Sequence, residues 1–406
     1  MSRHLDKSAS QPARRRSNKA PASSAIKRPT MHDVAAAANV SISAVSIAMR
    51  NAAGIGDETR NRILKTADDL GYQRNRAASL MKLTNTGVIG ITLDPANHFH
   101  IDLAQRIHDH AAEIGREVIP AFIGAPAGTQ FDAPTGTQLD APTAQLYAPT
   151  AKEADTQSGV KTAAQIRRET GERGAIAFLQ GLRCDGLILL GPQLDPESLT
   201  TLAKQCALTL VGYSNPIAGA DVIHAADDTG QREVVSHLIE LGHRDIVHVD
   251  GGDHPIATQR RNGYKQAMRA AGLANNIRVI TGGQSTEAGQ RSACQLVKEP
   301  TKPTAICAFN DEVALGIYDT LFRHGLDIPT EISLTGYDNT STAKLNFINL
   351  TSVDQHPESL TQTAIETVTN RMAARIAGES PPGSTTVIQP DFIARKSTAP
   401  PREANI

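Results

Sequence analysis

The sequence has no tryptophan, and phenylalanine and tyrosine are scarce. Its four cysteines include no C-x-x-C pair, so they do not form the pattern of a disulfide framework or a zinc site. No apolar run reaches the roughly 18 residues that a membrane-spanning helix needs, and residues 1–28 lack the apolar segment of a secretory signal. We therefore expect a cytoplasmic protein with reduced thiols and no membrane segment.

A strong net charge is also absent, since the formal net charge of the 406 residues is −1. The charge is nevertheless unevenly distributed, because residues 1–90 contain 15 Lys and Arg against 6 Asp and Glu. A basic N-terminal region on an acidic body is typical of a protein that meets a nucleic acid at one end. A basic disordered tail is the alternative, because residues 1–28 alone supply 8 of those 15 positive charges.

Residues 29–50 are predicted to form two short helices joined by a sharp turn. Thr30 and Asp33 have the spacing of a capping box, which begins a first helix at about 31–38. Asn39 tolerates a left-handed backbone and suits the turn, and Ser41 can cap a second helix at about 42–50. The expected inward faces contain Val34, Ala37 and Ala38 in the first helix, and Val45, Ala48 and Met49 in the second.

A third helix is predicted at about 58–70, with Asp57 as its cap and Gly71 at its end. Its apolar stripe is expected to contain Ile63, Ala67 and Leu70. Three such helices with small residues at the crossing fit a helix-turn-helix, whose second helix presents its first turn to the major groove of DNA. A plain helical hairpin of a globular domain is the alternative for this pattern taken alone.

Several short motifs occur in a characteristic order across these helices: Asp33-Val34-Ala35, Val40-Ser41, Val45-Ser46, Thr59-Arg60, Leu70-Gly71-Tyr72, Asn75 and Ala78. Other motifs continue toward the C-terminus, among them "CDGLILLG", "FNDEVALGIYDTL", "ISLTGYDN" and "QPDFIARKSTAP". This series resembles the lactose-repressor/galactose-repressor (LacI/GalR) family of bacterial transcription regulators. The resemblance implies a ligand-responsive homodimer, more often a repressor, that binds palindromic double-stranded operator DNA.

The resemblance also implies which residues contact DNA. A hinge at residues 73–86 is expected to insert a leucine-like side chain into the minor groove, although an ordinary linker is the alternative. Ile47 stands where the family usually has arginine and offers only apolar contact, for example to a thymine methyl group. The expected DNA-binding residues are Thr30, Ser41, Ile42, Ser43, Ala44, Ser46, Ile47, Asn51, Thr59, Tyr72, Asn75, Leu80 and Met81.

From residue 87 onward, short Val/Ile/Leu runs alternate with amphipathic stretches, a pattern typical of parallel sheets with crossover helices. The fold class is therefore an all-α helix-turn-helix headpiece followed by an α/β core with parallel sheets. The resemblance implies that this core has two lobes around a ligand cleft, like periplasmic binding proteins. The N-lobe is expected at about 87–226 plus 354–380, with the remainder in the C-lobe.

The expected domain plan has four parts and one insertion. A disordered basic arm covers residues 1–28, the headpiece 29–72, the hinge 73–86, and the effector-binding and dimerisation domain 87–400. Residues 125–165 contain a near-repeat rich in Ala, Pro, Thr and Gly, which cannot bury enough apolar surface to fold alone. We expect this segment to be a low-complexity insertion in the N-lobe, with partner binding as the alternative.

The resemblance assigns the cleft residues position by position. Arg260 matches a family arginine that binds sugar hydroxyls or a carboxylate, and polar side chains at strand ends form the ligand surface of such sheets. Helix capping is the alternative role of Asn310 and Asp311. For a sugar or nucleoside/purine effector, the expected binding residues are Asp94, Asn97, His98, Phe99, Tyr213, Arg260, Asn310, Asp311 and Asp338.

Neither a cofactor nor a catalytic site is expected. His98, His100, His108 and His110 lie close in sequence, but residues two apart on a helix do not share a face, so a solvated surface is favoured over a metal site. The absence of a Walker loop, a nucleophile elbow or a paired His/Cys arrangement argues against an enzyme. A transport solute-binding protein would share the core fold but would not need the headpiece.

Overall fold

The computed structural model describes residues 29–49, 52–72, 85–124 and 163–402. The chain divides into two compact units, unit 1 at Met1–Thr84 and unit 2 at Asn85–Ile406. The expected basic arm, the hinge up to residue 84 and most of the expected insertion lie outside the described residues, as do the expected DNA-binding residues Asn51, Asn75, Leu80 and Met81.

Within residues 29–49 and 52–72, unit 1 contains three helices, α1 Met31–Ala37, α2 Ile42–Met49 and α3 Asp57–Asp69. The capping box is present, because Thr30 Oγ1 accepts from the backbone N–H of Asp33 and the Asp33 carboxylate accepts from the backbone N–H of Thr30 at 2.7 Å. Asn39 adopts a left-handed φ of 50° at the turn. The chain bends by 106° between α1 and α2, within the range of helix-turn-helix pairs.

The core of unit 1 differs from the expected one at three positions. Ala35 is buried and Ala37 is exposed, because the turn at Asn39 places the other flank of α1 against its neighbours. Leu70 follows the end of α3 and is 38% exposed, so it does not extend the stripe of Ile63 and Ala67. Asp57 is the first residue of α3 rather than its cap, which is Gly56.

The described residues of unit 2 form two parallel sheets, which define its two lobes. The N-lobe sheet has the order β11-β5-β4-β3-β1-β2 and is parallel throughout. Its strands are β1 Ile89–Leu93, β2 Val118–Phe122, β3 Gly186–Leu190, β4 Ala207–Val211, β5 Asp221–Ala225 and β11 Thr385–Ile388. Its helices are α4 His98–Glu113, α5 Ala163–Gly181, α6 Pro196–Gln205 and α11 Pro357–Ile376.

The C-lobe sheet has the order β7-β6-β8-β9 and is also parallel. A separate antiparallel pair, β10 with β12, lies beside the crossings between the lobes. The strands are β6 Ile246–Asp250, β7 Arg278–Thr281, β8 Ala305–Ala308, β9 Ser333–Thr335, β10 Ser352–Asp354 and β12 Asp391–Ile393. The helices are α7 Asp227–Glu240, α8 Pro255–Ala270, α9 Thr286–Leu296 and α10 Asp311–Arg323, with a 3₁₀ turn at Ala274–Asn276.

The chain crosses between the lobes three times, after β5, after β10 and after β11. The second N-lobe segment extends beyond the expected residue 380, because β11 pairs in parallel with β5 and adds an edge strand to the N-lobe sheet. Helix α5 begins at Ala163, inside the C-terminal end of the expected 125–165 insertion. Within the described residues, no single helix has both the length and the apolar character to cross a membrane.

Candidate functional site

The first turn of α2 forms an exposed surface of unit 1. Ser41 caps the helix, since its Oγ accepts from the backbone N–H of Ala44 at 3.1 Å. Ile42 and Ser43 are exposed, whereas Val45 and Ala48 on the opposite face are buried in the three-helix core. The helix therefore combines an anchored apolar face with an outward first turn, as a DNA-reading helix requires.

The other expected DNA-binding residues have more varied surroundings. The side chain of Thr30 belongs to the capping box of α1. Ala44 and Tyr72 pack partly buried against the three-helix core, so they support the helices rather than extend the exposed surface. Ser46, Ile47 and Thr59 are half-buried.

A cavity that opens to solvent lies between the two lobes of unit 2, and its empty volume, open solvent included, is about 560 Å³. Its N-lobe wall follows α4 and the carboxyl ends of β3, β4 and β5, and its C-lobe wall follows the ends of β6, β7, β8 and β9. Parallel strands present their carboxyl ends at one edge of the sheet, where ligands bind in such folds. The polar residues of the wall are Asn97, His100, Gln193, His224, His254, Arg260, Gln284, Asn310, Asp338 and Gln355.

Arg260 is the buried centre of the C-lobe wall and is 3% exposed. Its Nε donates to Asp227 Oδ1 at 2.7 Å, and its Nη1 donates to the backbone carbonyl of Phe309 at 2.7 Å. The guanidinium carbon lies 3.6 Å from the ring centroid of Tyr337, a cation–π contact. Burial raises the pKa of Asp227, and the neighbouring guanidinium opposes that shift.

Asp338 faces the same cavity from the loop after β9. Its Oδ1 lies 3.6 Å from Arg260 Nη2 and accepts from Gln355 Nε2 at 2.6 Å. Burial raises the pKa of the Asp338 carboxyl well above its ordinary value, and Arg260 counteracts this effect. The φ of Asp338 is 107°, a conformation that non-glycine residues rarely adopt outside functional sites.

The cavity contains five of the nine expected effector-binding residues: Asn97, Phe99, Arg260, Asn310 and Asp338. Asn97 and Asn310 also cap α4 and α10, and capping is the alternative role expected for Asn310. Asp94 lies in the turn before α4 and accepts from the backbone N–H of Ala96. Tyr213 is buried behind the wall, with its ring edge toward His254.

Two other expected residues are also absent from the cavity wall. His98 lies at the cleft rim, where it is hydrogen-bonded to Glu312 of the other lobe. Asp311 is fully buried and accepts from Thr340 N, Thr340 Oγ1 and Ser352 Oγ at 2.8, 2.9 and 2.8 Å. The expectation for Asp311 is corrected, because its carboxylate holds the loop after β9 instead of facing a ligand.

Sequence reasoning missed three glutamines and three histidines of the wall. Gln193, Gln284 and Gln355 follow β3, β7 and β10 by one to three residues, so the strand-end rule that selected Asn310 and Asp338 could have found them. His100, His224 and His254 gave a weaker signal. His224 lies within an apolar strand, and His100 was considered only as part of a histidine cluster on α4.

Two family profiles match the chain. The periplasmic binding protein-like domain matches residues 235–398, and the bacterial regulatory proteins of the lacI family match residues 30–75. Together the two matches cover more than half of the chain, and they fall on the C-terminal part of unit 2 and on the three-helix region.

Two curated relatives align over nearly their whole length. The HTH-type transcriptional regulator DegA of Bacillus subtilis is 26% identical over 379 residues, which are 91% of this chain and 98% of DegA. The HTH-type transcriptional repressor PurR of Photobacterium profundum is 24% identical over 375 residues, which are also 91% of this chain and 98% of the relative. Both are similar to this chain across both units.

Solved structures share the fold. A LacI transcriptional regulator from a Rhodococcus species superimposes with a TM-score of 0.61 at 29% identity, covering 77% of this chain and 98% of that one. The Lac repressor bound to ONPG in the repressed state superimposes with a TM-score of 0.67 at 23% sequence identity, and the match covers 92% of this chain and 100% of that one. A LacI family regulator from Enterococcus faecium with bound ribose superimposes with a TM-score of 0.59 at 20% sequence identity, and the match covers 78% of this chain and 100% of that one. The chain therefore contains a lacI-type DNA-binding region at residues 30–75 and a periplasmic binding protein-like domain at residues 235–398, and it is a DNA-binding transcription regulator similar to lacI-family regulators along most of its length.

Proposed function

We propose that the protein is a homodimeric repressor whose affinity for a palindromic operator is controlled by a small molecule bound between the lobes of unit 2. The observation that carries this proposal is the combination, in one chain, of an outward α2 turn with a polar interlobe cavity centred on Arg260 and Asp338. A ligand shifts a conformational equilibrium when it binds one state more tightly than another. A ligand held by both lobes satisfies this requirement, because lobe separation would remove half of its contacts.

On the DNA side, we propose direct readout by Ile42 and Ser43 at the exposed start of α2. Thr59 and Ile47 would add contacts at the edge of this surface, and Ile47 favours apolar contact over the charged contact of an arginine. Asn51, Asn75, Leu80 and Met81 remain proposed DNA contacts, the last two as minor-groove wedges from a hinge at 73–86. Because operator DNA is the partner, we place the protein in the cytoplasm.

For the remaining segments, we propose that residues 1–28 form a basic arm that adds salt-dependent DNA affinity. We propose that the chain between residue 125 and the start of α5 is an insertion into the N-lobe.

For the dimer, we propose a contact through an apolar surface of the C-lobe. Phe322 and Phe347 are 71% and 70% exposed, which is unusual for large apolar side chains. Tyr318 connects the two positions, since it lies one turn before Phe322 on α10 and its hydroxyl donates to the backbone carbonyl of Phe347 at 2.9 Å. Leu345 is also exposed beside Phe347. A second copy of this surface would cover these side chains in a two-fold dimer.

The test is operator selection from a random DNA duplex library with the full chain, followed by fluorescence anisotropy on the recovered sequences. We expect an inverted repeat, because a two-fold dimer reads two equivalent half-sites. Ser43→Asp should reduce operator affinity by roughly tenfold or more, since it places a negative charge beside the DNA phosphates. An acidic residue in the first turn favours the helix, so this loss cannot be attributed to unfolding of α2.

Gln180→Glu, which adds a negative charge at an exposed position of α5 in unit 2, is the matched control and should bind the operator like the wild type. Recovered sequences without a repeat would contradict the proposed dimer on a palindrome. Wild-type affinity of Ser43→Asp would contradict direct readout by the first turn of α2.

A further inference from the structure

Helix α2 contains none of the side chains that identify a base through two hydrogen bonds. Its eight residues, Ile42–Met49, have the sequence ISAVSIAM, so no side chain of this helix is charged and none is an amide. In the major groove, arginine and lysine read guanine, asparagine and glutamine read adenine, and the acidic residues read cytosine. Within α2, the remaining means of distinguishing bases are serine hydroxyl groups and apolar contacts.

Both kinds of group lie on the outward face of the helix. Ile42 is 41% exposed, and the neighbouring Ser43 is also exposed. Ser46 lies one turn further along α2 and shares the face of these two residues. Val45 and Ala48 are buried in the three-helix core and anchor the opposite face. The face that can meet DNA therefore combines one large apolar side chain with two serines.

The second isoleucine of α2 is engaged within unit 1. Ile47 is half-buried, and its Cδ1 lies 3.7 Å from the position that a Cβ on Gly54 would occupy. Its backbone carbonyl accepts from the backbone N–H of Ala52 at 3.1 Å. The side chain of Ile47 thus lies against the loop between α2 and α3. Ile42 is consequently the main apolar group that α2 presents outward.

Hydroxyl and apolar groups discriminate bases in different ways. A serine hydroxyl can donate or accept a hydrogen bond, so it suits several base edges. An isoleucine is more selective, because the C5 methyl of thymine is the apolar group on the major-groove edges of the four bases. Burial of that methyl against an isoleucine is favourable, whereas a polar edge at the same place would lose its hydrogen bonds to water. Base discrimination by α2 therefore depends on methyl groups.

From this composition we propose that α2 reads the 5-methyl group of a pyrimidine in each operator half-site, and that Ile42 determines this specificity. The inference rests on the proposed function, in which α2 presents its first turn to the major groove of the operator. A thymine of each half-site then lies against Ile42. Since 5-methylcytosine carries its methyl group at the same ring position, it should replace thymine there better than cytosine does.

The test uses the full chain and an operator recovered from the random library. Each thymine of the half-site is replaced in turn by uracil, cytosine or 5-methylcytosine, and fluorescence anisotropy measures the affinity. The four bases separate the methyl group from the hydrogen-bonding group, because thymine and uracil share the O4 acceptor, whereas cytosine and its methylated form share the N4 donor. At the position against Ile42, loss of the methyl group should weaken binding roughly fourfold in one half-site and roughly fifteenfold in both.

Ile42→Ala should remove the dependence on the methyl group, because it removes the apolar contact, while alanine favours the helical conformation. Leu64→Ala is the matched control, since Leu64 of α3 is also 41% exposed and its replacement should leave the dependence unchanged. Circular dichroism confirms that both variants are folded.

The outcomes separate this inference from the proposed function. Equal binding of thymine and uracil at every position of a recovered operator overturns the inference and leaves the operator, and with it the proposed function, in place. A methyl dependence that persists in folded Ile42→Ala overturns the role of Ile42. Recovery of no preferred sequence from the library overturns the proposed function and this inference together.

Discussion

His98 and Glu312 are hydrogen-bonded to each other across the rim of the interlobe cleft, with His98 on α4 of the N-lobe and Glu312 on α10 of the C-lobe. The His98 side chain is 61% exposed, whereas that of Glu312 is only 4% exposed. The other Glu312 oxygen accepts from Thr286 Oγ1 at 3.2 Å. A buried carboxylate of one lobe thus depends on an imidazole of the other. Separation of the lobes would break this bond, so it favours the closed cleft.

His98→Ala is expected to weaken binding of the cleft ligand about two- to fivefold, because partly exposed ion pairs are worth about 0.2–1 kcal/mol and this one is formed in the closed state. Titration calorimetry with a sugar or nucleoside that binds the wild-type protein measures the effect. Glu312→Gln alone and the double variant complete a double-mutant cycle, in which the two losses should not add. His108→Ala, at an exposed position of the same helix, should bind like the wild type. Additive losses would contradict the rim contact.

Arg260→Ala is expected to lower the free energy of unfolding by about 3–5 kcal/mol, because it leaves buried carboxylates without their counter-charge. Urea unfolding followed by circular dichroism measures this loss, since the chain has no tryptophan for fluorescence. Adding Asp227→Ala should recover part of the loss. The neighbouring ion pair of Arg261 with Asp250 is more exposed, so Arg261→Ala should lower the free energy of unfolding by less than Arg260→Ala does. Equal costs for Arg260→Ala and Arg261→Ala would contradict the central role of Arg260.

Phe347→Asp is expected to convert a dimer into monomers, because it places a charge in the centre of the exposed C-lobe surface defined by Tyr318, Phe322, Leu345 and Phe347. Analytical ultracentrifugation at several protein concentrations measures the dissociation. Phe178→Asp changes a comparably exposed phenylalanine of the N-lobe helix α5 and serves as the control. If Phe178→Asp dissociates the dimer and Phe347→Asp does not, the contact lies on the N-lobe instead.

His248 is expected to make stability fall with acidification. Burial lowers the pKa of His248 to about 3, with a smaller contribution from Arg261. An unfolded histidine takes up its proton near pH 6.5, so between about pH 6.5 and 3 the unfolded chain binds one more proton than the folded chain at this residue. The folded state therefore loses up to about 1.4 kcal/mol per pH unit as the pH falls through this window.

Urea unfolding at about pH 7 and about pH 5 tests this expectation. His248→Phe keeps an aromatic ring beside Tyr264, on which His248 stacks with a centroid distance of 5.4 Å. The variant should lose less stability between the two pH values than the wild type does. His108→Phe alters an exposed histidine and should retain the wild-type dependence. An equal decrease in wild type and His248→Phe would assign the acid sensitivity to other groups.

Local features of the headpiece were predictable because they depend on neighbouring residues. The capping box of Thr30 and Asp33, the left-handed Asn39 and the cap at Ser41 each arise within four residues. The alternation of strands and helices was also predictable, since parallel strands buried on both faces read as continuous apolar runs.

Positions that depend on distant segments were less accessible to sequence reasoning. β11 was not expected in the N-lobe, because its pairing with β5 joins residues about 160 positions apart. Asn310 and Asp311 were expected to act together, but Asn310 is the extended N-cap of α10 and lines the cavity, whereas Asp311 is the first helical residue and its carboxylate bonds the loop after β9. The strand-end rule locates a residue near the ligand, and only the three-dimensional structure gives the direction of its side chain.

The three crossings between the lobes lie side by side and are hydrogen-bonded to one another. The backbone N–H of Ala226, at the first crossing, donates to the carbonyl of Ile388 beside the third at 2.9 Å. The second and third crossings are joined by the pairing of β10 with β12. Because each crossing is bonded to a neighbouring one, we expect the three crossings to act together as one hinge. The two lobes should therefore open by rotation about this hinge, and the ligand should enter at the rim of the cleft where His98 contacts Glu312.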